Sequence, residues 1–240
     1  MSDRLPLVLL PGLLCDHDLW ASVLDGLSAR ADMTVADLTR DDSVGAMASR
    51  VLNEVTAPRF ALAGLSMGGY IALEMARLAP ERMAGIALLN TAYREDMPEK
   101  RAQREATIKM AESDRFRGVT RHLMKSFLSP AALADEALVA RIIAMAEAVG
   151  RENFVLQQRA ILGRRDQSNT LRELQVPALV LCGSLDALTP PQISEEMAAL
   201  APQSELVILD GIGHLSPLEA PDEVTGILNR FLAQFAGQGA

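Results

Sequence analysis

The chain has 240 residues, 49% of them apolar and 22% charged, which is enough hydrophobic material for the core of one compact domain and too little charge for a disordered one. A formal net charge of −8 repels polyanions, so neither nucleic acid nor an acidic membrane surface is an expected partner. The two cysteines, Cys15 and Cys182, give no disulfide framework and read as reduced thiols of a cytoplasmic protein.

The first predicted strand, Leu5–Leu10, begins an apolar run to Cys15 that superficially fits a secretion signal. Asp3 cancels Arg4, while Pro6, Pro11 and Gly12 interrupt the run. Bulky Leu14 also precedes the cysteine where cleavage needs a small residue, so the run is expected to remain in the fold. No later run approaches the roughly 20 apolar residues of a membrane span. Further strand patterns follow at Thr34–Asp37, Phe60–Leu65, Gly85–Asn90, Ala178–Cys182 and Glu205–Leu209. They alternate with helical patterns at Asp18–Arg30, Ser43–Thr56, Met67–Ala79, Gln192–Leu200 and Asp222–Phe235. The alternation predicts an α/β protein, a doubly wound and mostly parallel six-stranded sheet with helices on both faces. Between Asn90 and Val176 the strand pattern disappears. Pro98, Ser113-Asp114, Ser129-Pro130 and Gly150-Arg151 divide that stretch into helices expected near 99–111, 114–127, 131–148 and 151–163.

The richest chemistry lies at Gly64-Leu65-Ser66-Met67-Gly68-Gly69, between the apolar run Phe60–Ala63 and the helical pattern ended by Pro80. This reads as a nucleophile elbow. Its turn is so sharp that the serine takes strained backbone angles, and glycine two positions before and after leaves room for strand and helix to approach. Three fixed positions recur by chance in roughly one such chain in ten, so the strand–turn–helix context carries the assignment. The peptide N–H of Met67 then opens the helix and points toward an oxyanion formed by attack of Ser66 on a carbonyl.

A nucleophilic serine needs a base, and the chain has three histidines, His17, His122 and His214. His214 stands in Gly211-Ile-Gly-His-Leu-Ser-Pro217, directly after a strand, where an open α/β sheet places its working residues. His122 lies in a charged helical stretch and reads as solvated or merely packed, and His17 reads as exposed between aspartates that cap a helix. For the carboxylate behind the base, Asp186 ends the strand Ala178–Cys182 and its loop. Asp210 competes, but it stands four residues before His214 and reads better as a turn residue. No regularly spaced set of metal ligands and no glycine-rich phosphate loop after the first strand is present, so neither a metal nor a cofactor is expected.

With these residues the chain resembles the α/β hydrolases. The order Ser66, Asp186, His214 is that family's chain order. Gly-Leu-Ser-Met-Gly-Gly, Gly-Ser-Leu-Asp and Gly-Ile-Gly-His resemble its three catalytic loops. The likeness covers residues 1–94 and 169–240 as the hydrolase core and implies that 95–168 form its helical cap. In the family a second oxyanion donor comes from the loop after the first central strand. Here that loop is Leu9-Leu10-Pro11-Gly12-Leu13-Leu14, with Pro11 where the family often has histidine, and the resemblance assigns the donor to the N–H of Leu13. The family's first two strands have no counterpart before Leu5, and its glycine-rich turn is replaced by Leu38-Thr-Arg-Asp-Asp-Ser43.

The resemblance implies a serine hydrolase of small or medium-sized carboxylic esters or lactones, acting on a small-molecule substrate without a cofactor. A serine at position 66 disfavours the dehalogenase and epoxide-hydrolase branches, which use aspartate. Carbon–carbon bond hydrolysis, enol-lactone hydrolysis, perhydrolysis, lyase or synthase chemistry with the same triad, and a non-catalytic receptor role remain alternatives. In the cap, Met97, Met110, Met124 and Met145 are candidates for an apolar pocket or for helix packing. Arg164-Arg165 are candidates for a substrate carboxylate or for a solvated loop. Nothing in the sequence fixes the oligomeric state.

Overall fold

Three strands of the chain, β3 (Phe60–Leu65), β4 (Met83–Leu89) and β5 (Ala178–Gly183), have every residue buried. Such unbroken apolar runs suit a sheet covered on both faces, and the computed structural model, which describes residues 4–113 and 118–235, has that arrangement. With β1 (Leu5–Leu10), β2 (Ala31–Val35) and β6 (Ser204–Leu209) they form one sheet in the order β2-β1-β3-β4-β5-β6. Every pairing is parallel. Each crossover therefore needs a helix on a face of the sheet.

On one face α1 (Asp18–Leu27) packs with α11 (Pro221–Ala233), burying Leu19, Trp20, Val23 and Phe231. On the other, α2 (Val44–Glu54), α3 (Met67–Leu78) and α9 (Pro191–Leu200) bury Met47, Ile71, Leu73 and Met197. After β2 the chain returns past β1 to β3. Strand order reverses there, and a crevice opens at the carboxyl ends of β1 and β3.

Among the sheet strands and the helices between them, the expected boundaries that move shift by one or two residues, and by three at two places. Helix α1 stops at Leu27 rather than Arg30, and β2 occupies Ala31–Val35 rather than Thr34–Asp37. The register explains the shift: pairing Leu5 with Ala31 turns Ala31, Met33 and Val35 toward the core, and Arg4 meets Asp32 at 2.7 Å on the edge. Asp37 instead closes a turn by accepting from the N–H of Thr39 at 3.0 Å.

Between β4 and β5 run α4 (Pro98–Glu112), α5 (Arg121–Met124), α6 (Pro130–Ala134), α7 (Glu136–Leu162) and α8 (Ser168–Glu173). The helix expected over 114–127 falls partly outside the described residues, and within them it is reduced to α5. The helix expected over 131–148 is split because two caps compete for its start. Ser129 Oγ accepts from Ala132 N at 3.2 Å, and Asp135 Oδ1 accepts from Ala137 N and Leu138 N at 2.9 and 3.1 Å. The break expected at Gly150 is present as a left-handed residue, φ 78°, inside α7. Helix α8 and the short α10 (Ser216–Glu219) are too brief to leave a periodic signature. Among the described residues, no helix is long and apolar enough to cross a membrane.

Candidate active site

Ser66 sits at the end of β3 with φ 54° and ψ −112°, a conformation that costs a non-glycine residue about 1–3 kcal/mol. Surrounding bonds hold it there. Its N–H donates to the Leu89 carbonyl at 3.0 Å, and its own carbonyl accepts from Gly69 N at 2.9 Å and Thr91 Oγ1 at 2.7 Å. The flanking glycines are steric necessities, since a Cβ on Gly68 would lie 2.0 Å from the Leu10 carbonyl oxygen and one on Gly64 would lie 2.4 Å from that of Gly68. Those two contacts bring α3 down onto β1 and β3, and the serine stands half-buried at the crevice.

The structure brings His214 and Asp186 together: His214 Nδ1 lies 2.8 Å from Asp186 Oδ2, with both side chains almost fully buried. Asp186 Oδ2 also accepts from Asn90 Nδ2 at 2.9 Å and Thr189 Oγ1 at 2.7 Å. Oδ1 accepts from the N–H groups of Leu188 and Thr189, each at 2.9 Å. Burial by itself raises the carboxyl pKa, but the His214 bond and charge, the Thr189 N–H and the Asn90 amide outweigh it and hold Asp186 below the ordinary range. An ionised carboxylate only accepts. The imidazole proton therefore belongs on Nδ1, and Nε2 is left with a free lone pair.

Asp210 stands apart on the surface, accepting from Ser184 Oγ at 3.2 Å in the turn to Gly211. His17 and His122 are both exposed, and neither lines the cavity described below. The two thiols are buried and free. Burial, aided by Asp16 at Cys15 and by Asp186 at Cys182, pushes each up to about 12, so neither is a thiolate at neutral pH.

Several residues that organise this region carry no motif signal. Asn90, at φ 46° at the end of β4, also donates to the Gly213 carbonyl at 3.1 Å and accepts from Ser216 Oγ at 2.6 Å. The signal in the sequence is an asparagine closing an apolar strand. Glu219 accepts from the N–H groups of Gly213, Leu215 and Ser129 at 3.0, 3.1 and 3.0 Å, and His214 N donates to the Phe127 carbonyl at 2.7 Å. The histidine loop is thus tied directly to the segment between α5 and α6. Gln157 of α7 accepts from Leu14 N at 2.9 Å and donates to the Leu38 carbonyl at 3.1 Å, fixing the loop after β1. Among the described residues the N–H groups of Leu13 and Met67 donate to no protein acceptor.

A cavity of about 340 Å³ lies over the crevice, lined by Gly12, Leu13, Ser66 and His214 from the sheet loops. Val119, Phe127, Ile142, Met145 and Phe154 form its apolar wall, and Lys100, Arg104 and Gln158 its polar one. Of the four methionines considered above, Met145 lines this space and Met124 packs in the core, whereas Met97 and Met110 are exposed. Arg164 is not a solvated loop residue, and it is not among the residues lining this cavity. It is buried, donating to the Arg94 and Ile161 carbonyls and to Asp96 and lying 4.5 Å over the Tyr70 ring, while Arg165 is exposed. Among the described residues no group of three or more histidine, cysteine or acidic side chains is arranged to hold a metal.

The model of the α/β hydrolase fold family matches residues 6–221 of this chain. The chain is an α/β hydrolase. Similar curated relatives include pimeloyl-[acyl-carrier protein] methyl ester esterase of Xanthomonas oryzae pv. oryzae, 29% identical over 95% of this chain and 94% of that protein. Its counterpart in Yersinia pseudotuberculosis is 26% identical over 94% and 92%. Among solved structures, a thermophilic esterase from Thermogutta terrifontis with malate bound superposes with a TM-score of 0.87 at 27% identity, covering 96% of the hydrolase and 90% of that chain. The enol-lactonase of Burkholderia xenovorans LB400 shares the fold at a TM-score of 0.86 and 23% identity, over 96% and 92%.

Proposed function

We propose that this hydrolase cleaves small or medium-sized carboxylic esters or lactones through an acyl-enzyme on Ser66. The observation that carries the reading is the 2.8 Å contact between His214 Nδ1 and Asp186 Oδ2 behind an imidazole that shares a cavity with Ser66. Esterase relatives at 26–29% identity support the ester class.

In this mechanism His214 Nε2 takes the proton of Ser66 as Oγ attacks the carbonyl. Asp186 stabilises the imidazolium so formed without taking its proton. The unengaged N–H groups of Leu13 and Met67 receive the developing oxyanion, a contribution of about 3–4 kcal/mol per donor in comparable sites. The alcohol leaves with the proton from His214, and a water activated by the same base releases the acid. Helices α4 to α7, residues 95–168, act as a cap whose apolar wall shapes the substrate space. The two buried, protonated thiols fit a reducing, cytoplasmic setting.

The test is a hydrolysis screen over acyl chain length and lactones with the wild type and Ser66→Ala. Turnover of at least one class is expected, together with a loss in the variant on the order of a million-fold and a stoichiometric phosphonate label on Ser66 alone. No turnover of any ester or lactone by folded wild type, or Ser66→Ala activity within tenfold of it, would reject the reading.

A further inference from the structure

Lys100 and Arg104 stand one turn apart on α4 and line the same cavity as Ser66 and His214. Their surroundings leave positive charge unbalanced there. Asp96, whose side chain is 1% exposed, is shared between Arg104 Nε at 2.8 Å and Arg164 Nη2 at 2.7 Å. Arg104 also donates to Gln158 Oε1, whereas Arg164 is turned away into backbone carbonyls. One carboxylate thus faces two guanidiniums before Lys100 is counted.

Among the described residues Lys100 has no carboxylate partner. Its Nζ donates to the Leu188 carbonyl at 3.5 Å, the long limit of a hydrogen bond. The residue as a whole is exposed yet lines the cavity, and partial burial of its ammonium lowers its pKa. Asp96 and Asp186 oppose that shift, and Arg164 and Arg104 deepen it. No aspartate or glutamate is among the described residues lining the cavity; Asp96, outside that lining, pairs with Arg104 and Arg164 and leaves the charge of Lys100 without a carboxylate partner. Cations facing a largely apolar cavity lose hydration that an anionic ligand restores through charge-assisted bonds.

We propose that Lys100 and Arg104 form a subsite for a carboxylate carried by the substrate, so that the preferred ester bears a second, ionised acid group. This rests on the ester-hydrolase reading above and adds its substrate class. The apolar wall of Val119, Phe127, Ile142, Met145 and Phe154 takes the hydrocarbon part of such a molecule.

The experiment compares kcat/KM for monomethyl adipate and methyl hexanoate, which differ by a terminal carboxylate in place of a methyl, and for carboxymethyl hexanoate and ethyl hexanoate, which move the carboxylate to the alcohol. Wild type should favour the anionic member of at least one pair by about ten- to a hundredfold, chiefly through KM. Lys100→Gln should reduce that ratio at least tenfold, and Lys100→Arg should restore most of it. No anionic preference in either pair, or a preference that Lys100→Gln leaves intact, overturns the subsite.

Binding to Ser66→Ala, measured by calorimetry for the same four esters, separates the two ideas. If no ester is turned over, the hydrolase reading fails. The subsite is then decided by whether an anionic ester binds at least tenfold more tightly than its neutral partner and loses that advantage when Lys100→Gln is added.

Discussion

At the residue scale the two aspartates separate most sharply. Asp186 carries the His214 bond and four further bonds from N–H and O–H donors, whereas Asp210 is an exposed turn residue. Asp186→Asn should keep the fold but present an amide N–H to Nδ1 and favour the wrong imidazole tautomer, lowering kcat by on the order of 10⁴. Asp210→Asn should leave kcat within about threefold, as expected of an exposed side chain remote from chemistry. Steady-state kinetics of the two variants on one aryl ester provide the check, and the reverse ranking would move the acid to Asp210.

Asp96 gives a residue-scale prediction in stability. Burial acts to raise its carboxyl, but the bonds and charges of Arg164 and Arg104 prevail and hold it at about 2, down from 3.8. A folded pKa below the unfolded one contributes stability that is fully present above pH ~4 and is lost as pH falls toward 2, about 2 kcal/mol for a shift of this size. Asp96→Asn should therefore be destabilised by roughly 2 kcal/mol or more at pH 7, because two guanidiniums lose their counter-charge. Urea unfolding at pH 7 and at pH 3 reads the result: the gap between wild type and variant should narrow at the lower pH, and a constant gap would mean that the ion pairs contribute nothing.

At the scale of elements, the junction of β3 and α3 depends on two absent side chains. Gly68→Ala puts a methyl 2.0 Å from the Leu10 carbonyl oxygen, which is backbone and cannot swing aside. The helix must then retreat from β1, displacing Ser66 and the Met67 N–H together. A loss of several kcal/mol in stability is expected, with kcat down at least a hundredfold even at temperatures where the variant is folded. Circular dichroism melts and kinetics on the folded fraction test it. Gly150→Ala offers a contrast, since no atom from elsewhere in the fold lies within 4 Å of its Cβ and its cost is that of holding an alanine at φ 78° and ψ 173°, a region occupied essentially by glycine, about 1–3 kcal/mol.

For the whole molecule, division of labour between sheet and inserted helices is the testable feature. The sheet loops hold the proposed nucleophile, base and oxyanion donors, while α4 to α7 supply most of the apolar wall and both cavity cations. Exchanging residues 95–168 for the corresponding segment of another α/β hydrolase should change which esters are accepted while phosphonate labelling of Ser66 persists. Discrimination among apolar substrates rests on contacts worth about 1–3 kcal/mol per methylene. An unchanged substrate profile in folded protein would assign specificity to the core loops instead. The contacts of Phe127 and Ser129 with the histidine loop, and of Gln157 with Leu14, must be retained in such a graft, because they tie the inserted segment to the chemistry.

By itself the sequence determined what local chemistry dictates. Unbroken apolar runs required strands buried on both faces, alternating with helices. The glycines around Ser66 marked a turn that other residues cannot make, and the loop positions of Asp186 and His214 followed from strand ends. Tertiary structure decided the rest. Whether Asp186 or Asp210 reaches His214 depends on where two loops 28 residues apart converge, and the spacing of four that joins Asp210 to His214 along the chain says nothing of that. The start of β2 was set by pairing with β1, which local propensity does not encode. Competing caps at Ser129 and Asp135, each adequate alone, left the helix boundary between them to packing. Arg164 looked like any loop arginine because its burial comes from Tyr70 and Asp96, 94 and 68 positions away. The supporting bonds of Asn90, Thr189, Glu219 and Gln157 likewise exist only once distant segments meet, since a side chain's hydrogen-bond partner is a property of space rather than of order along the chain.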